Sequence, residues 1–332
     1  MNFVQEQNII EIAVHLAGKV LSGTYLVTGA TGTIAEYIIK ILLKLDDVKV
    51  IAVCHDKRKG HTLFQDYLSD NLIITQADIT EEIPDNFGQV DYVIHAAGIC
   101  SNMICKEFPQ EVINVNVCGT YNALEYARRN NIKKFLFFSS ASVYGNLSSQ
   151  IYREEECGEI DFLNTQNVYG LSKRMGETLC VTYKNCFPIV IVRPFHIIAP
   201  RIMADNSSML GEFYEKIISG NTIELNANGE GLKRNFTWIG DMARMFLELM
   251  SCGEGVYNVG NPYGTITVND MADRMMKIIG KKCTLKRKKS ESIKASNLHN
   301  MTPDLEKISK LIRCDQCMNI EDALEICIKC YN

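Results

Sequence analysis

Residues 25–45 constrain this chain more than any other stretch. Tyr25-Leu26-Val27-Thr28 forms a short apolar strand pattern, Gly29-Ala30-Thr31-Gly32-Thr33-Ile34-Ala35 a glycine turn, and the apolar-periodic residues through Leu45 a helix. That order is the one that seats a dinucleotide. The early glycines let backbone amides approach a pyrophosphate at the helix N-terminus, and the last small residue, here Ala35, lets helix and sheet pack closely. A glycine turn carries more weight wedged between a strand and a helix than it does alone.

The alternation continues. A second strand, Val50-Ile51-Ala52-Val53, ends where an adenosine ribose would be held, and the chain offers Cys54, His55, Asp56, Lys57 and Arg58 there. An acid at that point grips the ribose 2′-hydroxyl of NAD, whereas Arg or Lys accommodates the 2′-phosphate of NADP. Asp56 tilts the reading slightly toward NAD, with NADP left open. A third strand, Leu72-Ile73-Ile74, leads to Ala77-Asp78-Ile79, and a fourth, Val90 to Ile94, leads to His95-Ala96-Ala97-Gly98. Small residues after a strand leave room for a cofactor. Asp78 suits either an adenine amino group or a solvated turn. His95 reads first as a structurally satisfied histidine and second as a base.

A long helix over 110–129, carrying Asn114, Asn116 and Gly119-Thr120, precedes a fifth strand, Phe135 to Phe138. Strands and helices alternating in this way predict an α/β protein with a doubly wound parallel sheet. A further strand, Ile189 to Val192, ends in Arg193-Pro194-Phe195-His196, after which the pattern loosens into polar turns such as Asn226 to Gly231. Asp241 begins a helix, Val256 to Val259 is a strand, and helices are expected at 268–279, 303–311 and 320–331. The run Lys286-Arg287-Lys288-Lys289 is expected to be a solvated loop. The predicted organisation is an N-terminal helical extension over 1–22 packed on the body, a dinucleotide-binding domain over 23–192 plus 236–264, and a smaller α+β substrate-binding domain over 193–235 plus 265–332.

Tyr169-Gly170-Leu171-Ser172-Lys173 places a phenol and an ammonium one helical turn apart on one face. A cation beside a phenol favours the phenolate, so such a Tyr can exchange a proton with an alcohol nearer neutral pH than a free phenol could. Ser140 lies in Phe138 to Gly145, where a strand ends in small hydroxyl residues, the place where an open α/β sheet puts its ligand.

Composition removes several classes. Lys and Arg number 35 against 39 acids, for a net charge of −4, so no basic surplus points to nucleic acid or an anionic membrane. The opening residues are polar and acidic, and we expect neither a signal peptide nor a spanning segment. Thirteen scattered cysteines fit a reducing cytoplasm. Cys314-x-x-Cys317 and Cys327-x-x-Cys330 invite a zinc reading, but the gap between the pairs is short and Cys327 falls on an apolar helical face with Ile320, Ala323 and Leu324. Buried thiols are expected and no metal.

The residues together resemble the extended short-chain dehydrogenases/reductases that act on nucleotide sugars, the epimerase/dehydratase group of which UDP-galactose 4-epimerase is the best-known type. The resemblance runs from about Thr24 to the C-terminus. It rests on Thr28 to Ala35, Ala77-Asp78-Ile79, His95 to Gly98, Asn116 to Thr120, Ser139 to Gly145, Tyr169 to Lys173 with Glu177, Arg193-Pro194-Phe195, Arg234-Asn235-Phe236 and Asp241. It implies a Rossmann-like fold, with Tyr169 as the acid/base, Lys173 on the nicotinamide ribose, and Ser140 on the reacting sugar oxygen. Cofactor contacts are implied for Gly29, Thr31, Gly32, Thr33, Ile34, Asp56, Asp78, Ile79, Ala96, Ala97, Gly98, Asn116 and Pro194. Substrate contacts are implied for Ser140, Ser142, Tyr144, His196 and Arg234, the last through its planar fork on the nucleotide diphosphate.

Departures narrow the chemistry. The 4,6-dehydratases carry an Asp-Glu pair directly after the catalytic hydroxyl residue, and nucleotide-sugar decarboxylases keep a Glu in that segment; here the positions are Ala141 and Ser142. His196 stands where relatives usually have an Asn, and is open to a substrate contact or to a packed role. The expected protein is an NAD(P)-dependent nucleotide-sugar epimerase working through a keto sugar, paired as a homodimer through the helices at 110–129 and Tyr169. The alternatives are a 4-keto-sugar reductase or sugar dehydrogenase, and a non-catalytic dinucleotide-sensing protein on the same fold.

Overall fold

The computed structural model describes residues 3–226, 231–288 and 300–331. Its strands are, in chain order, β1 (Gly23–Thr28), β2 (Val48–Cys54), β3 (Leu72–Gln76), β4 (Tyr92–His95), β5 (Lys134–Phe138), β6 (Ile189–Pro194), β7 (His196–Ile198), β8 (Ile223–Asn226), β9 (Lys233–Trp238), β10 (Gly255–Val259), β11 (Thr265–Thr267) and β12 (Leu285–Lys288). Seven of them form one sheet in the order β10-β6-β5-β4-β1-β2-β3, every pairing parallel. The strands are apolar on both faces because helices cover both. Along β1, Tyr25 and Val27 enter one core while Leu26 enters the other, and Val50 and Ala52 alternate with Ile51 and Val53 in the same way. This is the doubly wound, Rossmann-like sheet expected. Its strand order reverses between β1 and β4, so the crevice for a ligand opens at their carboxyl ends.

The N-terminal helix, Phe3–Leu16, stops short of the expected extension over 1–22. Ile9, Ile10 and Ala13 are fully buried against the helices Thr33–Leu42, Ile239–Cys252 and Ile320–Tyr331, so it packs on the body. The helix expected over 110–129 is helical throughout but changes pitch: Pro109–Ile113 and Gly119–Arg129 flank a wide π turn at Asn114–Cys118. Such turns recur at functional sites because the extra residue re-aims side chains.

The loosened region is more regular than its sequence promised. It holds helices Pro200–Met203 and Met209–Ser219, the second capped by Ser208, whose hydroxyl accepts from the Gly211 amide at 3.0 Å. β7, β9 and β11 form a three-stranded sheet, with β9 running across residue 236, and β8 pairs in parallel with β12. Lys286, Arg287 and Lys288 are therefore strand residues in β12 rather than loop. Their charges hid the signal, since a two-stranded edge tolerates them; Lys289 lies outside the described residues, as does most of the Asn226–Gly231 turn. In place of a helix over 303–311 there is one turn, Glu306–Ser309. Among the described residues, no helix is long and apolar enough to cross a membrane.

Candidate active site

The parallel sheet delivers the expected residues to one edge. Gly29 follows β1, Asp56 follows β2, Asp78 follows β3, Ala96 follows β4, Ser140 follows β5 and Pro194 closes β6. Gly29 has φ +66°, and a Cβ there would lie 2.5 Å from the Ala97 Cα, so the turn can press against Ala96 and Ala97 only as glycine. The helix Thr33–Leu42 begins at Gly32 with no side chain capping it, which leaves its first amides, from Thr33 and Ile34 onward, directed at the crevice. A glycine-lined helix N-terminus without a cap fits the pyrophosphate of a dinucleotide.

Several expected residues are held by partners of their own. Asp56 caps the helix Lys57–Leu63, accepting from the Arg58 amide at 2.9 Å, and that bond with the Arg58 charge holds its carboxyl below the usual range. Asp78 accepts from the Thr80 amide and hydroxyl at 2.9 and 2.8 Å, which lowers it likewise. Ile79 is buried and its carbonyl receives the Asn122 amide. Asn116, in the π turn, receives the Ile99 amide at 2.7 Å and donates to the Ile99 carbonyl and to Ser172 Oγ. It thus ties the loop after β4 to the Tyr169 helix.

Tyr169 and Lys173 sit in the helix Val168–Thr182, with Ser140 at the end of β5. The Ser140 hydroxyl lies near enough to the Tyr169 phenol to favour the phenolate, but burial outweighs this and pushes the phenol well up. The contacts seen for Lys173 are to groups other than Tyr169. Its ammonium turns inward, donating to the Phe138 carbonyl at 2.8 Å and lying over the Phe137 ring, and burial lowers it to about 8. A Cβ on Gly98 would stand 3.0 Å from that nitrogen, so the small residue after β4 makes room for it. Ser140 Oγ also accepts from the Ser142 amide at 3.1 Å, shaping the turn over Ala141–Tyr144.

Tyr144 is not brought to the crevice. It is fully buried, donates to Asn258 Oδ1 at 2.6 Å, and carries Arg193 over its ring; burial pushes its phenol up to about 12. His196, in β7, is packed on Phe236 with Nδ1 lacking any hydrogen-bond partner, and burial followed by the Arg234 charge lowers it to about 4, so it is neutral at pH 7. Arg234 lies beside it in β9, half-buried. His95 is structural in its contacts. Thr120 donates to the Asn116 carbonyl and Thr28 Oγ1 accepts from the Ala97 amide, so Nε2 donates to Thr120 and Nδ1 accepts from Thr28. Burial lowers it to about 3.

Sequence reasoning gave no role to two supports. Glu177 receives Ser139 Oγ and both arms of Arg193, and Arg201 reaches the glycine turn. A Glu one to two turns after a Tyr and Lys pair is visible in sequence, but its partner is known only once β6 lies beside β5. The four C-terminal cysteines are buried in the main core, and no group of three or more potential metal ligands occurs among the described residues.

Residues 25–260 match the family described as the NAD dependent epimerase/dehydratase family. UDP-glucuronic acid decarboxylase 1 of Arabidopsis thaliana is 26% identical, over 90% of this chain and 67% of that protein. UDP-glucuronate 4-epimerase of Thermodesulfobacterium geofontis is also 26% identical, over 91% of this chain and 94% of that protein. Among solved structures, the UDP-glucuronic acid 4-epimerase of Bacillus cereus in complex with UDP-glucuronic acid and NAD superposes with a TM-score of 0.78 at 24% identity, covering 93% of this chain and 98% of that one.

Proposed function

The chain belongs to the NAD dependent epimerase/dehydratase family, and from that premise we propose that it is an NAD-dependent 4-epimerase of a UDP-linked sugar. The observation that carries this reading is the pairing of the Tyr169 phenol with Ser140 at the carboxyl end of β5, in a segment that holds no carboxylate. Elimination of water calls for a further acid and base there, whereas proton exchange at one hydroxyl calls for a single Tyr.

When bound, NAD supplies a reversible hydride acceptor, which interconverts an alcohol carbon and a keto carbon of the sugar. The protein does the rest. As phenolate, Tyr169 would take the proton from the sugar hydroxyl and return it, with Ser140 orienting the same oxygen; burial disfavours that phenolate in the NAD-free protein, and the positive charge of an oxidised nicotinamide would offset this. Gly29 to Ile34 and Ala96 to Gly98 would form the wall for the dinucleotide, and Lys173 would supply a buried cation to its nicotinamide ribose. Neutral His196 has an unpartnered buried ring nitrogen that would accept from a sugar hydroxyl, and Arg234, in β9 beside it, would take the diphosphate in its planar fork. Retention of the keto sugar until it has presented its other face is what separates epimerisation from net oxidation.

The first reading to set against it is decarboxylation, because several relatives are UDP-glucuronic acid decarboxylases. Ala141 and Ser142 supply no carboxylate for it. Homodimerisation belongs to the same proposal: Ile113, Tyr121, Met175 and Val181 are each about half exposed on the helices at 109–129 and 168–182, an apolar stripe suited to a second copy.

The experiment is to incubate the purified protein with NAD and UDP-glucuronic acid, and separately UDP-glucose, and to identify the products by NMR and mass spectrometry. Inversion at carbon 4 with no accumulation of NADH is expected. Release of carbon dioxide with a UDP-pentose product, or one NADH per product, overturns the epimerase.

A further inference from the structure

A line of buried ion pairs runs from the N-terminal helix to the glycine turn. Glu6 Oε1 accepts from Lys40 Nζ at 2.8 Å, and the same ammonium donates to Glu36 Oε1 at 2.7 Å. The other oxygen of Glu36 receives Arg201 Nη1 at 2.7 Å. That nitrogen also donates to the Thr31 carbonyl at 2.9 Å, inside the turn Gly29–Gly32. Glu6, Glu36 and Lys40 are at most 9% exposed, and the two acids balance the two cations. Glu6 precedes the part of the chain that matches the family, which begins at residue 25.

We propose that Arg201 is a positioning residue for the dinucleotide, and that the N-terminal helix supports the cofactor turn through Glu6. The turn must present amides, not carbonyls, to a pyrophosphate. Arg201 holds the Thr31 carbonyl against a guanidinium, which fixes the peptide plane leading into Gly32 and neutralises an oxygen that would repel phosphate. The Gly32 amide is in turn committed to the Gly29 carbonyl at 2.8 Å, so the two bonds define the turn together. Glu36 alone would be satisfied by Lys40. The second cation is needed because it is the one that reaches the turn. Arg201 lies in the short helix directly after β7, the strand that carries His196, so it also joins the sugar side of the crevice to the cofactor side. Lys40, gripping both Glu6 and Glu36, extends this connection to the N-terminal helix.

The proposal rests on the dinucleotide lying at the glycine turn. Its test is the NAD dissociation constant of the full-length protein by isothermal titration, beside the thermal midpoint of the NAD-free protein. Loss of one charge-assisted hydrogen bond at the turn makes NAD binding of Arg201→Met roughly tenfold weaker. Arg201→Lys, which keeps the charge, recovers most of that affinity, and Glu6→Gln weakens binding by about threefold, the smaller effect of a more distant partner. Folded Arg201→Met with wild-type affinity overturns the role of Arg201; should that variant not fold, wild-type affinity in Arg201→Gln, which also removes the charge, does so. Unchanged affinity in Glu6→Gln overturns the part given to the N-terminal helix. A wild-type protein that binds no NAD overturns the dinucleotide reading itself and this proposal with it.

Discussion

Arg193 grips Glu177 with two arms of its guanidinium, Nε on Oε1 at 2.8 Å and Nη2 on Oε2 at 2.7 Å, while Ser139 donates to the same Oε1 at 2.5 Å. This joins the end of β6, the end of β5 and the Tyr169 helix, which are the three elements that bring Ser140 and Tyr169 together. The pair is largely buried, its side chains 10% and 14% exposed. Removing the acid strands a cation. Glu177→Ala is expected to lose about 3 kcal/mol in denaturant unfolding and also to lower turnover, whereas a purely peripheral pair would be worth under about 1 kcal/mol.

Tyr169→Phe keeps the packing of the ring and removes the proton carrier. Turnover of the UDP-sugar is expected to fall by roughly 10²–10⁴-fold while NAD binding stays within about twofold. Steady-state kinetics and titration separate the two. Wild-type-like turnover in this variant would remove Tyr169 from the mechanism.

The buried ammonium of Lys173, lowered to about 8, sets a pH dependence. It is charged below that value and neutral above it, so NAD affinity is expected to hold steady to pH 8 and weaken beyond. Lys173→Met should bind weakly at every pH without the step. Stability runs the other way. Between about 8 and the ordinary lysine value near 10.5 the unfolded chain holds the proton that the folded one has lost, so NAD-free protein gains stability as pH rises across that window.

Acid acts through two other buried groups. His95 and His196 are lowered to about 3 and about 4, so below about 6.5 the unfolded chain takes up protons that the folded chain refuses. Each is expected to remove up to about 1.4 kcal/mol of stability per pH unit as pH falls from 6.5. His95→Gln should cut the slope of unfolding free energy between pH 6 and 5 by about half. An unchanged slope would contradict the buried neutral state of His95.

Much of the sheet was legible because its strands are runs of Val, Ile, Leu and Phe ended by glycine or small hydroxyl residues, and β1 with Gly29–Gly32 fixed where the ligand edge would be. The sugar-side segment was harder. β7 is three residues long, β12 is three-quarters basic, and the helix Met209–Ser219 is announced only by Ser208 and Gly220, so local periodicity had little to work on. The pairing of Tyr169 with Ser140 followed from motif order. The inward turn of Lys173 and the interior place of Tyr144 did not, since both depend on which side chains a neighbouring strand or loop brings within reach. Arg201 was invisible for the same reason: its partners Glu36 and Thr31 lie more than 160 residues away in the chain.

The most direct measurement of the central claim follows isotope at the reacting carbon. UDP-glucuronic acid and UDP-glucose carrying deuterium at carbon 4 are incubated with the protein and NAD, and the product is read by NMR. The account predicts an inverted sugar that keeps its deuterium at carbon 4, with no net NADH. A product that has lost the label from that carbon, or that accumulates together with an equivalent of reduced dinucleotide, would contradict it.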